Sequence, residues 1–197
     1  MNTATAEQIQ IDEFRPEKIR QNWQLFTKNF TDDQIEKITV LAGETQKART
    51  FNDGDDNVRT SRISWMSQHV WIRSLLFNYV DFANQNAFFT HIYNKGDVQF
   101  TEYHAKDGGH YDWHHDIDWN NSDGFDRKLS VTVQLSDPSE YEGGDFLFDE
   151  VESPKPELAK PKGTVLVFPS YLKHTVTPVT KGVRRSLVAW FVGPQWK

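Results

Sequence analysis

The sequence contains no cysteine among its 197 residues. This absence excludes disulfides, thiolate metal sites, iron–sulfur clusters and cysteine nucleophiles together, and it makes a reducing cytoplasm the expected location. Long apolar runs are also missing, since no window approaches the ~18 consecutive apolar residues that a membrane helix needs. The N-terminus lacks the basic start and the apolar stretch of a secretory signal. We therefore expect no membrane span, no disulfide framework and no thiol chemistry.

Basic residues are outnumbered, with 22 Lys and Arg against 28 Asp and Glu and a formal net charge of −6. Proteins that bind a nucleic-acid backbone usually carry a basic face, so we expect no such binding. Aromatic residues are abundant, at 14% of the chain, and aromatic side chains suit sheet-rich cores and ligand pockets. The length predicts a single domain over residues 1–197.

The periodicity changes once along the chain, which divides it into a helical part, about residues 1–86, and a strand-rich part, about residues 87–197. Thr31 and Gln34 predict a helix start, because the first can cap the helix while the second reaches back. Gly43 predicts the end of that helix. The apolar stripes comprise Ile35, Ile38, Leu41 and Ala42 in this helix, and Ile72, Leu75, Leu76, Tyr79, Val80 and Ala83 in a second helix from near Ser67.

Short alternating segments in the second part predict strands. These segments are residues 98–103, 111–116, 129–135, 146–148, 164–168, 173–179 and 184–192. A stretch with three prolines, residues 152–162, predicts an exposed loop. Short strands separated by turns indicate an antiparallel sandwich or barrel. Helices first and strands later therefore predict an α+β, mainly β fold, with the N-terminal helices packed on one outer face.

The most informative stretch, residues 111–118, concentrates histidines and aspartates in a predicted strand. Side chains two apart on a strand point to the same face, so His114 and Asp116 could hold one metal ion. A third ligand must come from elsewhere, and His174 stands at the head of a later predicted strand. Two imidazoles and one carboxylate form the ligand set of non-haem Fe(II) oxygenases. Spacing alone leaves the register open, because the flanking aspartates share that face and a solvated edge strand would show the same pattern.

Five motifs then follow one another over about residues 99–192. They are Tyr103 with residues 109–116 (Y…G-x-Y-x-x-H-x-D), residues 127–130 (R-x-L-S), residues 143–148 (G-G-D-x-x-F), residues 161–168 (P-x-G-x-x-x-x-F) and residues 174–186 (H-x-V-x-P-V-x-x-G-x-R-x-S). In this order they resemble the signature of prolyl 4-hydroxylase-like 2-oxoglutarate/Fe(II) dioxygenases. Upstream, residues 59–65 faintly resemble the stretch that precedes the second helix of that family.

The resemblance implies a double-stranded β-helix (jelly-roll) core and an enzyme. It implies that His114, Asp116 and His174 bind the catalytic Fe(II), and that Arg184 binds the distal carboxylate of the co-substrate 2-oxoglutarate. A guanidinium can grip a carboxylate through two parallel hydrogen bonds, which suits this role. Arg185 points the other way along the strand and is expected to be a surface residue. O2 is the other implied co-substrate, and ascorbate is an expected reductant.

Three more residues are candidates for binding the co-substrate. Thr132 and Gln134 lie on the polar face of the predicted strand 129–135, where the family often places a hydrogen-bonding residue. Tyr103 is the third candidate, and its competing interpretation is an ordinary half-buried strand tyrosine. Outside the triad, a structural role is expected for His104, His110 and His115.

By fold-level analogy, the expected reaction is hydroxylation of an unactivated C–H bond, in a prolyl residue of a protein or peptide. Residues 49–64 and 119–126 could form lids, and acidic lids would suit a basic target segment. The same centre could instead oxidise a free amino acid, a small metabolite or a nucleobase. A non-catalytic, metal-containing jelly-roll binding module and a zinc hydrolase are further alternatives. The sequence does not indicate an oligomeric state.

Overall fold

The computed structural model describes residues 21–48, 58–120 and 122–196. Its strands are Gln24–Phe26 (β1), Gln46–Lys47 (β2), Arg59–Thr60 (β3), Arg62–Trp65 (β4), Gly96–His104 (β5), His110–His114 (β6), Phe125–Gln134 (β7), Tyr141–Gly143 (β8), Phe146–Phe148 (β9), Val165–Pro169 (β10), His174–Val176 (β11) and Val179–Pro194 (β12). Its α-helices are Asp32–Ala42 (α1), Val70–Ala83 (α2) and Pro156–Ala159 (α3), with a π-helical turn over Asn84–Phe88 and 3-10 turns over Ala105–Asp107 and Pro138–Glu140.

The strands form two antiparallel sheets that face each other. The larger sheet has the order β1-β10-β7-β12-β5-β4-β2, and β8 adds to the start of β12. The smaller sheet has the order β3-β6-β11-β9. Neighbouring strands are often far apart in sequence, as β6 and β11 are. The predicted mainly β fold with a sandwich core is confirmed.

The strand β12 is 16 residues long and lies at the centre of the larger sheet, between β5 and β7. Its side chains alternate between two environments, as the pleat requires. The residues that face the smaller sheet, across an internal cavity, are Arg184, Ser186, Val188 and Trp190. The residues that enter the main hydrophobic core are Leu187, Ala189 and Phe191.

Helices α1 and α2 pack their apolar stripes onto the outer face of the larger sheet, as the sequence predicts. The capping box is present, because the Gln34 N–H donates to Thr31 Oγ1 at 3.2 Å and the Thr31 N–H donates to Gln34 Oε1 at 2.9 Å. The predicted burial of Leu41 is wrong, since it is 37% exposed. The stripe of α1 is narrower than the periodicity suggests, and its buried positions are Ile35, Ile38 and Ala42.

Several boundaries differ from those that the sequence predicts. The N-terminal part contains the short strands β1 to β4, which lack an alternating pattern long enough to identify them. The predicted strand 173–179 is interrupted, because β11 ends at Val176 and Pro178 has no N–H to offer a ladder. The second helix begins at Val70 rather than near Ser67. The predicted loop 152–162 includes the short helix α3. The single domain over residues 1–197 stays a prediction.

No helix in the described part of the chain is long and apolar enough to cross a membrane.

Candidate metal centre and cavity

The three side chains that the sequence predicts as metal ligands lie together. His114 ends β6, His174 begins β11, and the two residues face each other across the ladder between these strands. Asp116 lies just beyond β6, so the predicted strand 111–116 is two residues too long. The backbone N–H of Asp116 donates to the Ser170 carbonyl at 3.0 Å, which fixes the chain as it leaves the strand. One ligand atom from each of the three residues lies within 4.8 Å of the others.

Backbone carbonyls orient both imidazoles. Nδ1 of His114 lies 2.7 Å from the Asp112 carbonyl oxygen, and Nδ1 of His174 lies 2.9 Å from that of Leu172. Because a carbonyl only accepts, each Nδ1 donates, and Nε2 is then the ring nitrogen that carries the lone pair in the neutral imidazole. Both Nε2 atoms face the carboxylate of Asp116, at 3.7 and 3.6 Å from its oxygens. This arrangement of fixed tautomers is typical of histidines that bind metals.

Asp116 is buried, and its carboxylate is held in the ionised form. Ser130 Oγ donates to Asp116 Oδ2 at 2.7 Å and lies 2.9 Å from Ser170 Oγ. Burial acts to raise the pKa of Asp116, but the His174 and His114 imidazoles and the Ser130 hydroxyl keep it below its usual value. The cluster therefore presents a charged oxygen ligand at neutral pH.

His114 is neutral at neutral pH. Burial, with a contribution from the neighbouring His174 imidazole, lowers the pKa of His114 to about 4. The ring of Tyr111 stacks on the His114 imidazole with a centroid distance of 3.4 Å. Two imidazole nitrogens and a carboxylate on one side of a buried site suit a divalent transition metal and leave room for further ligands.

Arg184 projects from β12 into the cavity between the sheets and is 5% exposed. It forms no ion pair with any residue of the described ranges, although a buried cation without a partner is costly. Its guanidinium carbon lies 5.6 Å from the ring centroid of Tyr103, the residue opposite it on β5. Arg185 points away, as predicted, and donates to Glu102 Oε1 at 3.0 Å. The cavity thus offers one buried guanidinium to an incoming anion.

The other predicted co-substrate residues divide into two groups. Tyr103 and Thr132 line the cavity beside Arg184. Gln134 is buried, but its amide donates to Tyr141 Oη at 2.8 Å, and it is not among the described residues that line the cavity. Contacts of all three with the co-substrate stay predictions.

The remaining histidines of this region have partners outside the triad. His104 Nε2 lies 3.3 Å from Glu102 Oε2, and His115 Nδ1 lies 2.7 Å from the Tyr171 carbonyl oxygen. His110 Nδ1 lies 2.7 Å from the Gly108 carbonyl oxygen. These contacts agree with the structural role expected for them.

The predicted lids are described only in part. Residues 49–57 lie outside the described residues, and the rest of the segment 49–64 contributes to β3 and β4. In the segment 119–126, Trp119 is exposed, whereas Asp126 is buried and its Oδ2 accepts from the backbone N–H of Trp196 at 2.7 Å. Closure of either segment over the site stays a prediction.

Sequence reasoning missed several residues that contact the site. Gln99 and Thr101 line the cavity, as does Arg59. Ser130 stands on the polar face that the sequence predicts for residues 129–135, but its hydrogen bond to the Asp116 carboxylate was not predicted. Gln99 and Thr101 alternate with apolar residues on β5, so the alternation could have revealed them. Arg59 had no periodic signal, because its strand is two residues long, and the faint family resemblance of residues 59–65 assigned it no role.

Comparison with known proteins identifies the core of the chain. Residues 98–192 match the family model of the 2OG-Fe(II) oxygenase superfamily. A PKHD-type hydroxylase of Synechococcus sp. (strain CC9902) is 40% identical over 83 residues, which cover 42% of this chain and 36% of that protein. A PKHD-type hydroxylase of Aliarcobacter butzleri (strain RM4018) is 33% identical over 99 residues, 47% of this chain and 43% of that protein. The chain therefore spans well under half the length of these curated relatives.

Solved structures share the fold. A Pseudomonas putida prolyl-4-hydroxylase superposes with a TM-score of 0.65 at 20% identity, covering 89% of this chain and 94% of that one. The viral collagen prolyl hydroxylase of Paramecium Bursaria Chlorella virus-1, in its 2OG complex, gives 0.64 at 22% identity over 88% and 97% of the two chains. A Trichoplax adhaerens prolyl hydroxylase, in complex with a hypoxia inducible factor peptide, gives 0.66 at 16% identity over 87% and 84%.

Proposed function

Residues 98–192 belong to the 2OG-Fe(II) oxygenase superfamily, and from this premise we propose that the protein is a 2-oxoglutarate- and Fe(II)-dependent dioxygenase that hydroxylates an unactivated C–H bond. The observation that carries the proposal is the convergence of His114, Asp116 and His174, with both Nε2 atoms facing the carboxylate. The tautomers fixed by backbone carbonyls fit a bound Fe(II).

The proposed assignment gives each residue one task. His114, Asp116 and His174 would hold Fe(II), and Arg184 would bind the distal carboxylate of 2-oxoglutarate, supported by Tyr103 and Thr132. Bound together with 2-oxoglutarate and O2, the metal supplies the oxidising chemistry of the family, in which 2-oxoglutarate becomes succinate and CO2 while the substrate C–H becomes C–OH.

The protein's own contribution is to orient ligands and exclude water. Ser130 holds the Asp116 carboxylate in one rotamer at 2.7 Å. The ring of Phe146 stacks on His174 with centroids 5.1 Å apart, and the ring of Phe168 packs edge-on at 4.9 Å. This aromatic wall lowers the local dielectric and strengthens the interactions of the charged groups inside it.

As the substrate we propose a prolyl residue of a protein or peptide. The names of the PKHD-type relatives and of the prolyl hydroxylases that share the fold support this choice. Ascorbate as a reductant and a cytoplasmic location complete the proposal, and a basic target segment is the form of the substrate that acidic lids would suit. A free amino acid or small metabolite is the alternative substrate. A purely structural metal or a zinc hydrolase would leave Arg184 buried without a function, which disfavours both.

The decisive experiment measures release of succinate from 2-oxoglutarate in the presence of Fe(II) and O2. His174→Ala should reduce this release at least about 100-fold, because the buried site loses one of three ligands. His115→Ala is the matched control: it removes an imidazole from the same region and should change the rate only slightly. Normal succinate release by the His174→Ala protein would refute the proposed metal centre.

A further inference from the structure

The cavity between the two sheets has two polar ends. Arg184 and Trp190 both face it from β12. They are six residues apart on one strand, a distance of about 20 Å. In the proposed function the Arg184 end takes the distal carboxylate of 2-oxoglutarate. The Trp190 end has no role in that assignment.

Trp190 brings an unpartnered donor to its end of the cavity. The residue is 6% exposed, and its indole N–H has no hydrogen-bond partner within the described part of the chain. A buried donor without an acceptor costs about 1–3 kcal/mol, and native structures pair nearly all such groups. The Arg127 guanidinium lies 4.3 Å from the ring centroid and the Trp65 ring 6.2 Å from it, so the indole is fixed in place. A molecule bound at this end of the cavity would supply the missing acceptor.

Arg59 brings a positive charge to the cavity. Its Nε donates to Ser61 Oγ at 2.8 Å and its Nη2 to Gln99 Oε1 at 2.7 Å, which fixes the plane of the guanidinium. The guanidinium carbon lies 4.6 Å from the ring centroid of Tyr111, which in turn stacks on the proposed iron ligand His114. The cation is thus held one aromatic layer away from the metal centre.

Arg59 and Trp190 lie at the same end of the cavity. Gln99, the partner of Arg59, faces Val188 across the ladder between β5 and β12. Trp190 is two residues further along β12 and is therefore a diagonal neighbour of Gln99, about 7–8 Å away. Ser130, which fixes the carboxylate of Asp116, faces Trp190 across the ladder between β12 and β7. The reacting C–H bond would have to lie close to this end, because the metal ligand Asp116 adjoins it.

Among the described residues, the charges at the site leave Arg59 without a compensating carboxylate. Asp116 is the one carboxylate among the described residues that line the cavity. With Fe(II) and 2-oxoglutarate bound, the charges of the metal and the co-substrate cancel, and the charge of Asp116 cancels that of Arg184. The cations of Arg59 and of Arg127, which lies over the Trp190 ring, then remain, in a setting where a low dielectric makes their field strong.

We propose that Arg59 and Trp190 form a subsite for a carboxylate of the substrate, close to the carbon that is hydroxylated. A carboxylate supplies both the negative charge that Arg59 lacks and an acceptor for the indole N–H. The inference rests on the proposed dioxygenase function. It names a class of substrates, namely peptides with an acidic residue or a chain terminus beside the target, or a free amino acid. It also opposes the basic segment expected from the acidic loops.

The experiment compares capped peptides that are identical except for aspartate, asparagine or lysine beside a proline, together with free L-proline. The readout is succinate release above the level without substrate, and formation of the hydroxylated product. Aspartate peptide or free proline should stimulate turnover at least about tenfold more efficiently than the asparagine peptide, in line with a charged hydrogen bond. Stimulation by the aspartate peptide assigns the carboxylate to a side chain, and stimulation by free proline assigns it to a chain terminus.

Variants test the two donors separately. Arg59→Gln should raise the KM for the stimulating carboxylate at least about tenfold, and much more than the KM for 2-oxoglutarate. Trp190→Phe keeps the ring and removes the N–H, and should raise the same KM severalfold. The matched controls are Arg62→Gln, on the neighbouring strand β4, and Trp71→Phe, on helix α2 outside the cavity; neither should change the KM for the carboxylate.

Three outcomes would overturn the subsite: equal stimulation by the asparagine or lysine peptide, no stimulation by any carboxylate, or an equal rise of both KM values in Arg59→Gln. In each case the control is the rate at which the wild-type protein releases succinate without a substrate. If the wild-type protein releases no succinate with Fe(II) and 2-oxoglutarate, the proposed function fails instead, and the two failures remain distinct.

Discussion

Single side chains at this site are positioned mainly by the backbone. The carbonyls of Asp112 and Leu172 fix the tautomers of the two triad histidines, so the sequence needs no dedicated carboxylate behind each imidazole. The Ser130 hydroxyl does the same for Asp116. Adjacent residues can therefore differ completely in role, as Arg184 and Arg185 do on opposite faces of one strand.

Arg184 provides the prediction at this scale. Arg184→Ala should raise the KM for 2-oxoglutarate at least about tenfold, because a charge-assisted pair contributes roughly 1.5–3 kcal/mol. Metal affinity, measured by titration with Mn(II), should change much less. The control Arg185→Ala removes the neighbouring guanidinium, which pairs with Glu102, and should leave the KM for 2-oxoglutarate near the wild-type value. Equal losses in co-substrate and metal binding would show that Arg184 is misassigned.

Among the elements, β12 connects the most parts of the structure. It pairs with β5, β7 and β8, and its inward side chains define the cavity from end to end. Its pairing with β8 is irregular between Val179 and Lys181, and Gly182 follows with a φ of 68°. A Cβ at Gly182 would lie 1.9 Å from the Glu140 carbonyl oxygen. This close approach sets the course of the strand two residues before Arg184.

Gly182→Ala should therefore destabilise the protein strongly. Positive φ alone costs an alanine about 1 kcal/mol, and the clash with the Glu140 backbone adds to it, for a total of at least about 3 kcal/mol. Gly108→Ala is the matched control, because Gly108 has a φ of 66° and open space where the Cβ would lie. Denaturant unfolding measures both. Similar losses of unfolding free energy in the two variants would contradict a role for the close contact.

The whole molecule brings together groups that no single element holds. The triad comes from the smaller sheet and the chain just beyond it, whereas Arg184 comes from the larger sheet. A ligand that binds to both sheets should consequently stabilise the folded state. Binding to the native form alone adds RT ln(1 + [L]/Kd) to the free energy of unfolding.

Mn(II) and 2-oxoglutarate should together raise the melting temperature. At about 100 times the Kd, one ligand contributes about 2.7 kcal/mol, and a chain of this size gains roughly 2–4 °C per kcal/mol, so a rise of about 5–10 °C is expected. Thermal unfolding followed by circular dichroism gives the measurement. His174→Ala should lose the rise that Mn(II) causes. The same rise in wild-type and His174→Ala protein would place the metal elsewhere.

What the sequence by itself determined are the features encoded in short stretches. The capping box at Thr31, the alternation of β5 and β7, and the shared strand face of His114 and Asp116 all follow from local periodicity and residue chemistry. The resemblance to the dioxygenase family rested on motifs of the same local kind. These features do not depend on which strands pair, so they could be predicted from the sequence alone.

Only the tertiary structure decided the contacts that depend on strand order. The two-residue strands β2 and β3 exist because longer neighbours pair with them, and their own residues carry no periodic signal. The exposure of Leu41 depends on how α1 sits on the larger sheet. Arg59 and the indole N–H of Trp190 reach the same cavity because β3 pairs with β6 and β12 pairs with β5. Such neighbours are distant in sequence, so no local pattern could reveal them.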